Sequence, residues 1–180
     1  MRKIILVYGG IAGILMITMF IINFSLMERG ILTLDNAELF GYTTMIVVLS
    51  LIFFGVKTFR DRHTNGAMTF WKGFKVGISI TAIASLFYAG GWEVYYNTVP
   101  EVKETFMQRY TELCVKQMQQ NGKSQAEIDT KVEELKSMGE VYKNPFIRFG
   151  ISLTEIFPIG LAIALISAGI LRKKEILPAG

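Results

Sequence analysis

Hydrophobic residues in this chain collect in four long runs, which are separated by two short polar stretches and one long one. The runs cover roughly residues 4–27, 38–56, 73–96 and 146–171. Each is close to the roughly 20 residues that an α-helix needs to cross a bilayer. None alternates polar and apolar residues with the period of two that is typical of membrane β-barrel strands. The pattern predicts an all-α integral membrane protein with four transmembrane helices.

The first run follows Met1, Arg2 and Lys3, which resemble the basic start of a secretory signal peptide. The apolar part of a signal peptide is only about 7–15 residues long, and a small-residue cleavage site follows it. Here the apolar run is longer, and no such site follows it. We therefore expect the run to be a retained transmembrane helix.

The long polar stretch, residues 97–145, is predicted to be a helical insertion between the third and fourth spans. Residues 101–120 favour one helix, because apolar side chains recur at helical spacing: Val102, Phe106, Tyr110 and Leu113. Ser124 and Glu127 form a capping-box pattern that starts a second helix. Its apolar face would hold Ile128, Val132, Leu135 and Met138. Either a helical hairpin or long extensions of the third and fourth spans would fit.

Charge then predicts the orientation. Charged residues make up only 19% of the chain, and its net charge of +4 comes mainly from residues that flank the apolar runs. Four spans place ten basic residues on one side: Arg2, Lys3, Lys57, Arg60, Arg62, Lys72, Lys75, Arg172, Lys173 and Lys174. Residues 97–145 are nearly neutral, with seven basic and eight acidic residues. The positive-inside rule places both termini in the cytoplasm and the insertion outside, in the periplasm of a bacterium.

The segment GVKTFRDRHTNGAMTFWKGFKVGISIT, residues 55–81, resembles the region between the second and third helices of domain-of-unknown-function family 4199. The resembling positions are Gly55, Lys57, Phe59, Arg60, Asp61, Gly66, Met68, Thr69, Phe70, Phe74, Lys75 and Gly77. The run NPFIRFGISLTEIFPIGLAIALISAGILRKK also resembles the family's last helix, with its Glu, Pro-x-Gly and basic tail. The resemblance implies a four-helix inner-membrane protein, mostly from Bacteroidetes-type bacteria. It implies no activity.

The segment around Arg60, Asp61 and Arg62 has two interpretations. It could contact a cytoplasmic partner or an anionic lipid headgroup. We favour a simple turn between two spans, in which the arginines lie at the headgroups and Asn65-Gly66 reverses the chain. Phe70 and Trp71 would then lie at the membrane interface.

Small residues recur every four positions in three of the runs, as in helices that pack closely in lipid. They are Gly9 and Gly13, Gly73 and Gly77, and Gly160, Ala164 and Ala168. We favour packing inside the bundle over packing between copies of the chain. The pair Gly90-Gly91 could be a hinge, or a place where the region of Pro158 packs closely.

Glu155 and Pro158 interrupt the last apolar run. Glu155 lies about nine residues, or roughly 13 Å, inward from Phe146. A charged side chain near the bilayer centre costs about 2.5–3.5 kcal/mol, so it is expected to face the bundle and to have a partner. Candidate partners are Asn23, Thr43, Thr44, Ser85 and Tyr88. Pro158 frees the carbonyl of Thr154 and can kink the helix, which would open space for water or a ligand beside the carboxyl group. We favour a structural role, in which a protonated Glu155 hydrogen-bonds across the bundle, over a role in handling a ligand, ion or proton, or in recognising a helix of a partner protein.

Glu93 is the other acidic residue inside a span that draws attention. It is within a turn of the outer interface, so we expect it to reach water or headgroups. The neighbouring Trp92, Tyr95 and Tyr96 would form an aromatic belt at that interface.

The sequence offers no Gly-rich phosphate loop, no Ser-His-Asp set and no metal-ligand spacing. We expect no enzyme activity, no cofactor, no metal and no nucleic-acid partner. The favoured function is an accessory or scaffold subunit of a membrane assembly, with a membrane-protein partner or a second copy of the chain. The alternative is a small transporter or channel-like protein that handles protons, ions or a small solute through Glu155. A dry bundle would favour the first function, and a polar cavity at Glu155 would favour the second.

Overall fold

A computed structural model describes residues 1–173, except for the side chains of Leu34 and Asp35. It contains seven helices over that range: α1 (Arg2–Glu28), α2 (Leu34–Leu49), α3 (Leu51–His63), α4 (Phe70–Thr98), α5 (Pro100–Gln120), α6 (Gln125–Tyr142) and α7 (Pro145–Leu171). Four helical segments are long and apolar enough to cross a membrane: Arg2–Glu28, Asn36–His63, Phe70–Thr98 and Pro145–Leu171. The prediction of an all-α fold is confirmed over the described residues, which include the four expected helices of a length and composition that suit a membrane span. The predicted basic tail at Lys174, and Glu175 beside it, lie outside the described residues.

The second span differs from the prediction, because it consists of two helices that meet at Ser50. The Ser50 hydroxyl donates to the carbonyl oxygen of Val47 at 2.6 Å. α3 then continues to His63, seven residues beyond the expected end at 56. Charged residues can extend a helix past the apolar run, because they reach water or headgroups with long side chains.

This extension places Arg60, Asp61 and Arg62 in the last turn of α3, where the sequence predicted a loop. The Arg60 Nε atom lies 2.8 Å from the Asp61 Oδ1 atom, and Asp61 and Arg62 are exposed. The chain reverses just afterwards at Asn65 and Gly66, whose φ angles of 47° and 83° confirm the predicted turn. Glycine adopts such angles at no steric cost, and asparagine tolerates them.

Small residues allow the central helices to pack closely, as predicted for the interior of the bundle. α4 and α7 run antiparallel, and a Cβ atom on Gly77 would lie 3.2 Å from the Cα atom of Ala164. A Cβ atom on Gly9 of α1 would lie 2.7 Å from the side chain of Ile83 on α4. Such contacts let backbones approach to distances that larger residues forbid.

The pair Gly90-Gly91 lies within α4, which continues through it without a break from Phe70 to Thr98. A Cβ atom on Gly91 would lie 3.2 Å from Ile17 of α1. The nearest neighbour of Gly91 is therefore on α1, not in the region of Pro158 on α7.

The two termini of the described chain meet the α3–α4 turn at one end of the bundle. The amino group of Met1 lies 3.2 Å from the Nε2 atom of His63. Met68 and Lys173 exchange two backbone hydrogen bonds, at 3.0 and 2.9 Å. An even number of membrane crossings produces this arrangement.

α5 and α6 form at the opposite end of the bundle, as distinct helices that pack against the ends of α4 and α7. α4 ends at Thr98, and Pro100 begins α5 at a position where its missing N–H costs no hydrogen bond. Ser124 and Glu127 make the predicted capping box. Ile128 and Leu135 are buried as predicted, whereas Met138 is 49% exposed.

Candidate functional site

Glu155 of α7 accepts a hydrogen bond from Tyr88 of α4. The Tyr88 hydroxyl group lies 3.0 Å from the Glu155 Oε2 atom. Tyr88 is buried, and its ring packs edge-on against Phe20 with centroids 6.0 Å apart. Tyr88 was one of the partners that the sequence suggested. Asn23, another of them, donates instead to the carbonyl oxygen of Ala37 at 2.9 Å.

The Glu155 side chain is exposed, because it faces a cavity of about 300 Å³ between α1, α2, α4 and α7. The polar residues of the lining are Asn23, Glu38, Tyr42, Thr44, Tyr88 and Glu155. Its main apolar residues are Met16, Met19, Phe20, Phe40 and Met45. Asn23 is near the end of α1 and Glu38 is in the first turns of α2, so the cavity lies toward the α5–α6 end of the bundle.

The cavity is acidic. Among its described lining residues, Glu38 and Glu155 are acidic and none is Lys, Arg or His. A charged carboxylate that has left bulk water is costly unless a proton or a cation neutralises it. Within residues 1–173, no group of three or more His, Cys, Asp or Glu side chains is placed to hold a metal ion. The arrangement can therefore hold a proton at Glu155 or bind a cation beside it.

Pro158 is exposed on α7, which continues through it from Pro145 to Leu171. It cannot donate to the carbonyl of Thr154, which is the residue four positions earlier. Pro158 is not part of the cavity lining, and neither are Gly90 and Gly91. Pro158, which was expected to open space beside Glu155, is therefore not one of the residues that face the cavity.

Glu93 has a different environment from the one predicted. Its Oε1 and Oε2 atoms accept hydrogen bonds from the Nε and Nη2 atoms of Arg148, at 2.7 and 2.6 Å. The Glu93 side chain is only 18% exposed, and the Arg148 side chain only 3%. The Arg148 Nη1 atom also donates to the carbonyl oxygen of Tyr142 at 3.0 Å, and the guanidinium group lies 3.9 Å from the ring centroid of Tyr96. The expectation that Glu93 reaches water or headgroups was wrong, because this partner lies within the chain.

Sequence reasoning did not identify Arg148. One signal was present, because Arg148 is the only basic residue between Pro145 and Leu171 of the last span. A lone arginine in a membrane span calls for an acidic partner, and Glu93 was the acid at a matching depth in the neighbouring span.

Trp92 and Tyr96 were expected in an interfacial aromatic belt, but they are 2% and 6% exposed. The Trp92 Nε1 atom donates to the Tyr142 hydroxyl group at 2.7 Å, and Phe106 packs against both rings. Burial raises the pKa of the Tyr142 hydroxyl group, which keeps it neutral. α5 and α6 therefore cover this aromatic cluster, which would otherwise face the membrane boundary.

No curated protein and no solved structure matches the chain significantly. A family model described as Protein of unknown function (DUF4199) matches residues 7–173. That range includes the whole of the first stretch that carried the resemblance, and the second stretch up to Lys173. The chain therefore belongs to the DUF4199 family.

Proposed function

We propose that this protein is a non-enzymatic, multi-pass membrane protein that takes up a proton, an ion or a small solute at Glu155, as a small transporter or channel-like protein does. The observation that carries the proposal is a carboxyl group within the spans that faces a cavity with no basic lining residue among those described. A purely structural Glu155 would be sealed in a dry bundle. The cavity volume of about 300 Å³ is at the lower end of the range for small-molecule sites, about 300–1,000 Å³.

Tyr88 gives the carboxyl group a fixed position. The hydrogen bond from Tyr88 engages the Oε2 atom of Glu155. The second oxygen atom, Oε1, is then available to a proton or to a ligand in the cavity. Because Tyr88 is buried and packed against Phe20, it holds the carboxyl group at the wall of the cavity.

The proposed orientation places both termini in the cytoplasm and a helical hairpin of α5 and α6 outside a bacterial inner membrane. Its support is the charge distribution, since the basic residues of the α3–α4 turn lie at the same end of the bundle as Met1 and Lys173. Because the cavity is nearer α5 and α6, its ligand would enter from the extracytoplasmic side.

Thiol labelling of the α5–α6 hairpin tests this orientation. Lys123→Cys in a Cys114→Ser background should react with a membrane-impermeant thiol reagent added to whole spheroplasts.

Thiol labelling also tests the cavity itself. In the Cys114→Ser background, Glu155→Cys should react with the impermeant reagent. Two matched controls on α7 should not: Ile156→Cys is buried, and Leu165→Cys lies on the exposed, membrane-facing surface. Labelling at position 155 that is as slow as at position 165 would mean that water does not reach the cavity, and the proposed function would fail.

A second candidate function has one observation in its favour. An accessory subunit would show an exposed apolar stripe on the hairpin, and Met138 and Val141 of α6 are 49% and 46% exposed. Purification in mild detergent should then recover a stoichiometric membrane partner. That partner should be lost in the variant Met138→Lys/Val141→Lys, and its absence from the wild-type preparation would leave the cavity as the functional feature.

A further inference from the structure

We infer that the ligand of the Glu155 cavity is an organic ammonium ion, in which a small apolar body carries one positively charged amino group. The inference rests on the proposed function and specifies its ligand. Three properties of the cavity support it: its charge, its hydrogen-bond acceptors and its apolar wall.

The charge of the lining selects a cation. Glu155 lies on the wall, and Glu38 adds a second carboxyl group near the α5–α6 end. No basic side chain occurs among the described lining residues. An anion would meet like charges there, and a neutral solute would leave the carboxylate without a counter-charge. A cation supplies the counter-charge that Arg148 supplies to Glu93.

The polar atoms of the lining favour a ligand that donates hydrogen bonds. The Tyr88 hydroxyl group donates to the Oε2 atom of Glu155, and the Oε1 atom of Glu155 is an acceptor without a donor in the described part of the chain. Asn23 donates through its Nδ2 atom to the carbonyl of Ala37, and its unpaired Oδ1 atom is too deeply buried to meet a ligand in the cavity. An ammonium group carries up to three N–H donors and no acceptor, so it complements the Oε1 atom of Glu155.

The remaining wall favours an organic cation over a bare metal ion. Calcium and magnesium take about six to eight oxygen ligands, whereas much of this wall consists of thioethers and aromatic rings. Met16, Met19 and Met45 are flexible and fit ligands of irregular shape, and Phe20 and Phe40 are aromatic side chains of the kind that attract cations. The volume of about 300 Å³ has room for a small apolar group, such as a phenylethyl chain.

Two sources could supply the ammonium group: a free amine, or the ethanolamine headgroup of a phospholipid. Both share the chemistry that the cavity selects. A binding experiment with a soluble amine in two lipid environments distinguishes them.

The experiment uses the protein in phosphatidylcholine nanodiscs with the Trp71→Phe substitution, so that Trp92 is the remaining tryptophan. Trp92 reports on the cavity because its ring centroid lies 4.9 Å from that of Phe20, a lining residue. We expect 2-phenylethylammonium to change the Trp92 fluorescence saturably. The uncharged analogue 2-phenylethanol, of nearly the same shape, should bind at least tenfold more weakly.

Variants assign the effect to the carboxyl groups. Glu155→Gln should weaken binding of 2-phenylethylammonium at least tenfold, and Glu38→Gln should weaken it severalfold. Glu104→Gln is the charge-matched control on α5, outside the cavity, and should leave binding unchanged. Phosphatidylethanolamine in the nanodiscs should compete with the amine if the headgroup is the source. No competition would identify a free amine.

Equal binding of the amine and the alcohol, or no saturable binding of either, would overturn the ligand class. The comparison of the amine with the alcohol uses no variant at Glu155, so it tests the ligand class even if Glu155→Gln fails to fold. If the ligand class fails while Glu155→Cys is still labelled from water, the proposed function survives. If position 155 is not labelled, the proposed function itself fails.

Discussion

Glu93 and Glu155 are two carboxyl groups at the same helix pair, and they differ in how their charge is balanced. Glu93 of α4 receives two hydrogen bonds from Arg148 of α7, and aromatic rings enclose the pair. Glu155 of α7 receives one hydrogen bond from the Tyr88 hydroxyl and faces a cavity. A desolvated carboxylate must find a counter-charge. The counter-charge of Glu93 is Arg148 of the same chain, so this pair is part of the folded structure. Glu155 has no such partner among the described residues, so a proton or a ligand would neutralise it.

The largest expected effect comes from disrupting the ion pair of Glu93 and Arg148. Arg148→Met removes the cation and leaves a nearly buried carboxylate, so it should destabilise the protein by about 3–5 kcal/mol. The free energy of unfolding in mild detergent measures the loss. Adding Glu93→Leu should recover a large part of it, because no unpaired charge then remains. A double variant as unstable as Arg148→Met would show that the ion pair is not the source of the effect.

A smaller effect tests the packed seam of α4 and α7 beyond Glu155, on the side away from Glu93. In Gly160→Ala, five residues after Glu155 on α7, the new methyl group would overlap the side chain of Thr81 on α4. The helices must separate there, at a cost of about 1–3 kcal/mol. Gly150→Ala is the matched control on the same helix, since its Cβ atom would meet nothing within 4 Å. That variant should be neutral or more stable by up to about 1 kcal/mol. Equal stabilities would contradict close packing at Gly160.

Glu155→Gln should change stability by less than about 1 kcal/mol, since the amide oxygen can still accept the hydrogen bond from Tyr88. The substitution should weaken ligand binding instead. Thermal unfolding and amine binding, measured on the same preparation, distinguish the effect on stability from the effect on binding. A loss of stability close to that of Arg148→Met would make Glu155 a structural residue of the same kind as Glu93.

The smallest effect concerns Glu127 on the exposed surface, whose carboxyl group is the reference for those of Glu93 and Glu155. The backbone N–H of Ser124, the Lys123 ammonium group and the Ser124 hydroxyl lower the pKa of Glu127 to about 2. Because the folded pKa is below the usual value of 4.5, the stabilisation is present above about pH 4.5 and is lost as the pH falls toward 2. Wild type should therefore melt slightly above Glu127→Gln at pH 6, and the difference should vanish near pH 2. A constant difference across this range would contradict the capping role.

Local signals allowed much of the fold to be predicted. The apolar runs gave the four spans, Ser124 and Glu127 gave the start of α6, and Asn65-Gly66 gave the turn. Each depends on residues that are neighbours in sequence. The break at Ser50 was not predicted, because no proline or glycine marks it.

The environments of the two carboxyl groups depend on distant residues, and the sequence predicted them less well. Arg148 and Glu93 are 55 positions apart, and the apolar run alone suggested that Glu93 lies at the membrane boundary. α5 and α6 cover that region instead and bury Trp92. The depth of Glu155 and its partner Tyr88 were among the expectations, but the cavity depends on how four helices meet, which no single segment encodes.

Labelling with dicyclohexylcarbodiimide, which modifies protonated carboxyl groups in apolar surroundings, tests the contrast between the two glutamates most directly. The protein in nanodiscs is treated with the reagent, and peptide mass spectrometry locates the modified residues. We predict modification at Glu155, protection of Glu155 by 2-phenylethylammonium, and no modification at Glu93. Modification of Glu93 to the same extent as Glu155, or an unreactive Glu155, would contradict the account.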